Sequence, residues 1–139
     1  MNMIKIEIRD IYKRKYLHKE LFSHLIGKVD IDNDGVSGME KSFNTLLNNQ
    51  NENDIISSVD TRIQHIVRDE ILDSMKLYKA TGGSGLVMEV NTGEILSMVS
   101  LPDFDPNNKN FDENSTFNKN TLGVYEFGSV MKIFTTAIG

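Results

Sequence analysis

The chain has no cysteine, no tryptophan and only two prolines in 139 residues. Without cysteine there is no disulfide, no thiolate metal site and no cysteine nucleophile. The compartment stays open, since exported and cytosolic proteins can both lack the residue. The three histidines, His18, His24 and His65, are too scattered for a metal-ligand spacing. Basic charge is scarce as well. Fifteen Lys and Arg against twenty Asp and Glu give a net charge of −5, and the densest basic run is the triplet Lys13-Arg14-Lys15. That offers no stripe for a phosphate backbone, so nucleic acid is not an expected partner. Long apolar runs are missing too. Lys5, Glu7, Arg9 and Asp10 break up residues 1–17, which hold neither a signal-peptide core of about 7–15 apolar residues nor a membrane span. What is present, 39% hydrophobic and 25% charged residues, is the mixture of about one globular domain.

Hydrophobic periodicity organises the chain. Ile4, Ile6 and Ile8 alternate with polar residues and predict a strand over 3–9 with one wet face. Leu21, Phe22, Leu25 and Ile26 predict a helix over 18–26 that Gly27 closes. After an Asp/Gly loop over 30–38, Ser37 and Glu40 have the spacing of a capping box, and Met39, Phe43, Leu46 and Leu47 line a helical face. The polar run 48–54 reads as a linker. Asp60 then caps a long amphipathic helix whose apolar face is Ile63, Ile66, Val67, Ile71, Met75 and Tyr78. Runs 85–90 and 94–101 flank Asn91-Thr92-Gly93 as a hairpin. Residues 102–121 read as a loop, and an apolar helical segment follows Lys132. The chain has no internal repeat.

Four motifs carry possible chemistry. Asp30-x-Asp32-x-Asp34-Gly35 imitates the front of a calcium loop, but Lys41 stands where the bidentate glutamate belongs, so a solvated turn is expected. Thr81-Gly-Gly-Ser-Gly85 lacks the Gly-Lys-Ser/Thr of a phosphate loop and follows a helix; it reads as a helix stop before a strand. Asn114-Ser-Thr116 fits a glycosylation triplet with nothing beside it to suggest a secreted eukaryotic protein. Ser129-Val-Met-Lys132 is different. Residues three apart on a helix share a face, so the Lys132 amine can approach the Ser129 hydroxyl. A serine hydroxyl needs a neighbouring base to become a nucleophile, and a partly desolvated lysine can serve. Gly128 permits a tight turn into the helix, whose N-terminus favours developing negative charge.

These elements, in this order, resemble the class B penicillin-binding proteins, the peptidoglycan D,D-transpeptidases of bacterial cell-wall synthesis. His24-Leu-Ile-Gly27 followed by Asp34-Gly35-Val-Ser-Gly-Met-Glu40-Lys-Ser-Phe looks like the join between the non-catalytic module and the catalytic domain. Ser58-Val-Asp60-Thr-Arg62-Ile-Gln64 is similar to the first transpeptidase helix. Residues 85–95 and Met98-Val-Ser-Leu-Pro102-Asp-Phe-Asp105-Pro-Asn107 resemble the first hairpin and its following loop. Tyr125-Glu126-Phe127-Gly128-Ser129-Val-Met-Lys132 resembles the Tyr-Glu-Pro-Gly-Ser-x-x-Lys nucleophile block, with Phe127 in the usual place of proline.

The resemblance implies an incomplete α+β transpeptidase fold, helices packed on the start of an antiparallel sheet. Residues 1–54 would end the N-terminal dimerisation or pedestal module, and 55–139 would open the penicillin-binding domain. It implies Ser129 as nucleophile and Lys132 as proton-transfer partner, with no cofactor and no metal. Peptidoglycan stem peptides and β-lactams are the implied partners, with other division or cell-wall proteins beside them, and the Gly-Met-Glu-Lys-Ser-Phe run leans toward division. The intact family member would sit on the periplasmic face of the bacterial inner membrane; a piece without anchor or signal would stay in the cytoplasm if expressed. The family's Ser-x-Asn element and Lys-Thr-Gly strand do not follow Lys132, so the expected form is an internal piece that is inactive alone. The other readings are a non-catalytic remnant or split-gene interaction piece, a site completed by a second polypeptide, and a small acidic calcium-binding module.

Overall fold

A computed structural model describes residues 13–49, 54–108 and 110–138. The strand expected over 3–9 lies outside the described residues. Helices packed on a two-stranded antiparallel sheet make an incomplete α+β fold. A 3-10 turn Lys19–Phe22 runs into α1 (Ser23–Ile26); two short helices follow, α2 (Gly38–Ser42) and α3 (Asn44–Leu47). The long helix α4 (Thr61–Tyr78) precedes strands β1 (Gly83–Met88) and β2 (Ile95–Leu101). A 3-10 turn Glu113–Thr116 and the short α5 (Lys119–Leu122) lie on the way to a 3-10 turn Gly128–Met131 and α6 (Lys132–Ile138).

Asp60 caps α4 as its position predicts, accepting from the amides of Arg62 and Ile63. The Arg62 guanidinium folds back on the same carboxylate at 2.7 Å and holds it well below the usual carboxylate range. The far end of α4 is closed by Lys79 in the left-handed conformation, before the glycines begin. Those glycines serve the packing instead. A Cβ on Gly83 would come within 2.7 Å of Ile71 Cγ2, and one on Gly85 within 2.9 Å of Ile71 Cδ1, so bare backbone lets α4 lie close on the sheet. Gly83, Gly85 and Val87 pair with Leu101, Val99 and Ser97, and these three pairs form the face under α4.

The apolar face of α4 departs from its periodicity. Ile66 and Tyr78 are 61% and 76% exposed, whereas the polar Gln64 is 1% exposed. Its amide explains why. Nε2 donates to the carbonyls of Leu21 and Met98, both at 2.9 Å, and Oε1 accepts from Ser97 Oγ at 2.8 Å and Met98 N at 3.0 Å. The side chain thus pairs with the outer edge of β2 as a neighbouring strand would. Asp60 N–H to the Leu96 carbonyl and Ser58 Oγ to the Ile95 carbonyl continue along that edge.

The buried apolar residues are Tyr16, Leu21, Phe22, Val99, Leu101 and Phe104, so the segment ahead of α1 shares one core with β2 and the loop after it. Asn107 reinforces the join, accepting from Tyr16 N at 2.9 Å and donating to Tyr16 O at 2.8 Å. The helix expected over 18–26 forms as a 3-10 turn and a single α turn, and the one expected after Ser37 is split at Phe43. Asn44 accounts for the split: its side chain reaches back to Gly35 N and the Asp34 carboxylate. The capping box does not form. Ser37 Oγ accepts instead from Lys28 N, and Glu40 is buried with Arg14 Nε 3.0 Å from its carboxylate. Burial, with the Glu40 charge second, pushes the neighbouring Tyr16 hydroxyl up to about 12.

Candidate active site

The segment from Tyr125 to Lys132 is built by local conformation. Gly128 takes φ +52°, a left-handed value that side chains strain to adopt, and turns the chain into the 3-10 turn Gly128–Met131. In a 3-10 turn residues three apart eclipse one another. Ser129, inside that turn, and Lys132, the first residue of α6, therefore lie on one face. Phe127, in the position where the resembled family carries proline, has φ −73°, inside the range a proline ring imposes. Phenylalanine here adopts by itself the φ that a proline ring would fix.

The surroundings of the pair are open. Tyr125 and Phe127 stack edge-on at 6.3 Å, and both are about half exposed. Val130, Met131, Ile133, Phe134 and Ile138 are all exposed. Among the described residues, no side-chain hydrogen bond joins Ser129 to Lys132, and the main packing of α6 is on the turn before it. What leads to the block is better anchored. Asn118 caps α5 through Asn120 N, Lys119 N donates to Ser100 Oγ at 2.9 Å, and Asn120 Nδ2 donates to the Val99 carbonyl at 2.7 Å. The loop after β2 is tied to α4 by Arg68, whose guanidinium contacts the Asp103 carboxylate at 2.7 and 3.3 Å. Neither Gln64 nor Asn118 stood out in the sequence as a buried bridge; polar side chains at these positions read as surface.

The acidic loop is a network of turns. Asp30 Oδ1 accepts from the amides of Asp32 and Asp34, each at 2.9 Å, and the Asp34 carboxylate takes the side-chain amides of Asn44 and Asn48. Among the described residues no group of three or more acidic or histidine side chains is placed to hold a metal ion. With these lone pairs engaged and Lys41 in the bidentate position, calcium should bind no tighter than the roughly millimolar range of weak sites. Isothermal titration giving a micromolar constant would contradict this.

The penicillin binding protein transpeptidase domain matches residues 83–139. The peptidoglycan D,D-transpeptidase FtsI of Buchnera aphidicola is 35% identical over 91% of this chain and 27% of its own length. A crystal structure from Atopobium parvulum, described as a peptidoglycan glycosyltransferase, superposes with a TM-score of 0.78 at 34% identity, over 91% of this chain and 32% of that one. Penicillin binding protein 3 of Mycobacterium tuberculosis, solved with aztreonam, superposes with a TM-score of 0.62 at 26% identity, over 69% of this chain and 23% of that one. Residues 83–139 thus fall in the penicillin binding protein transpeptidase family, and over nine-tenths of its length the chain is similar to part of the class B penicillin-binding proteins. Its relatives are peptidoglycan D,D-transpeptidases of the FtsI and PenA kind, and it spans about a quarter of the length of the curated relatives it matches.

Proposed function

We propose that Ser129 is the acyl-accepting nucleophile of a D,D-transpeptidase and Lys132 its proton-transfer partner. Residues 55–139 are then the opening of the catalytic domain and 1–54 the end of the module before it. The observation that carries this reading is the left-handed Gly128 turning Ser129 and Lys132 onto one face, inside the region that matches the transpeptidase family. The reaction is acyl transfer. Ser129 Oγ attacks the penultimate D-Ala carbonyl of a peptidoglycan stem peptide, and its proton passes through the Lys132 amine to the departing D-Ala nitrogen as the C–N bond breaks. An amine of a neighbouring strand then takes the acyl group and frees the serine. A β-lactam ring opens on the same hydroxyl, in keeping with the aztreonam complex of the M. tuberculosis relative. No described helix is long and apolar enough to cross a membrane; the setting proposed for the whole protein is the periplasmic face of the inner membrane, in division.

The test grafts residues 83–139 in place of the matching segment of a related D,D-transpeptidase and labels with a fluorescent penicillin. Saturable labelling is expected, lost in Ser129→Ala and slowed by orders of magnitude in Lys132→Ala. Labelling that persists in Ser129→Ala overturns the assignment; a folded graft that never labels favours a non-catalytic remnant.

A further inference from the structure

We propose that His24 is a pH-sensitive latch between the segment carrying α1 and the loop that follows β2. His24 is 8% exposed, and its Nε2 lies 3.2 Å from the Pro102 carbonyl. A carbonyl only accepts, so Nε2 carries the proton of the neutral ring and Nδ1 is left to take a second one. The ring packs edge-on against Phe104, centroids 5.5 Å apart, inside the shared core. Asn118 donates to the His24 backbone carbonyl at 3.4 Å, so the residue is gripped by the loop after β2 and by the cap of α5 together.

Adding a proton there would place a cation against an aromatic wall with little water. The charges around it do not rescue it. Asp103, on the same loop as Pro102, favours the charged ring, but Arg68 of α4 already pairs with that carboxylate. Lys119 of α5 opposes protonation, and Lys28, 6.0 Å from the centroid of the Phe104 ring that His24 packs on, adds a further positive charge nearby. On α2, which packs against α1, Glu40 is held by Arg14 and Lys41 is exposed; Lys19 and Glu20 open the turn before α1. Burial, the largest cause, lowers the pKa of His24 below its ordinary value of 6.5. The unfolded or undocked chain therefore binds the proton more readily. The latch is whole above that ordinary value, weakens as pH falls through it, and is fully lost below the folded pKa.

The experiment follows amide hydrogen exchange, corrected for intrinsic rates, in the 139-residue chain at about pH 7.5 and about pH 5.5. Protection over 16–27 and 99–107 is expected to fall at the lower pH in the natural sequence. In His24→Gln, whose amide can still donate to Pro102 but cannot titrate, it should not change. His18→Gln and His65→Gln, both at exposed rings, should behave as the natural sequence does. A pH response that survives in His24→Gln overturns the proposal, as does none in the natural chain. Should His24→Gln not fold, ring titration by NMR decides: a His24 pKa at or above those of His18 and His65 overturns the latch.

Discussion

Replacing Gln64 by leucine should destabilise the chain by about 3 kcal/mol or more, although the two side chains are nearly the same size. The loss is electrostatic, because no cavity is opened. Ser97 Oγ, the Met98 amide and the carbonyls of Met98 and Leu21 all lose their partner. Each buried donor or acceptor left unpaired costs about 1–3 kcal/mol, and Met98, only half-buried, recovers part of this from water. Against a domain stability of about 5–15 kcal/mol, that is a large share. Urea denaturation reads it directly. Ser97→Ala should soften the effect when combined with Gln64→Leu, because one orphaned hydroxyl is then gone; the double-mutant cycle measures that coupling. A loss below about 1 kcal/mol would show that water or a shifted neighbour satisfies the edge of β2.

Gln64 also shows where the sequence stops being legible. The limits of the helix that carries it are readable, Asp60 as cap and an end before the strand, although Ile66 and Tyr78 of its expected apolar stripe lie exposed. Position 64 is not, because a glutamine beside that stripe scores as surface until a strand edge comes to meet it. The strand and its partner were readable because alternation and turn chemistry are local. That β2 needs its other edge covered by a helix side chain is a fact of tertiary contact, and no window of neighbouring residues contains it. Phe43 makes the same point in reverse. Its neighbours read as one helix, yet Asn44 gains more by bonding the acidic loop ten residues back than by continuing the turn. At the candidate site the local part was legible again: the Ser129–Lys132 spacing and the need for Gly128 follow from backbone geometry alone. What would surround that pair in a finished site is non-local.

That last contrast sets the outcome expected for a polypeptide of residues 1–139 by itself: no covalent labelling by a fluorescent penicillin and no transpeptidation. Ser129 stands on a face open to solvent; its own turn presents Val130 and Met131 to water, and α6 behind it presents Ile133 and Phe134. The amide of Ser129 can offer one oxyanion donor, but no second donor and no strand for the substrate backbone faces it among the described residues. Losing one such donor costs about 10²–10³ in rate in a well-studied hydrolase. Losing the positioning of the acyl donor removes an advantage equivalent to effective molarities of about 10⁵ M or more. Together these leave acylation indistinguishable from the reaction of any exposed serine. The measurement is a labelling gel of the purified polypeptide beside its Ser129→Ala variant, with the grafted enzyme as the positive lane. Equal, unlabelled lanes for the two short chains and a saturable band for the graft are expected. A saturable band in the natural short chain that vanishes in Ser129→Ala would mean that the turn, the serine and the lysine suffice, and that the missing walls contribute far less than their usual share.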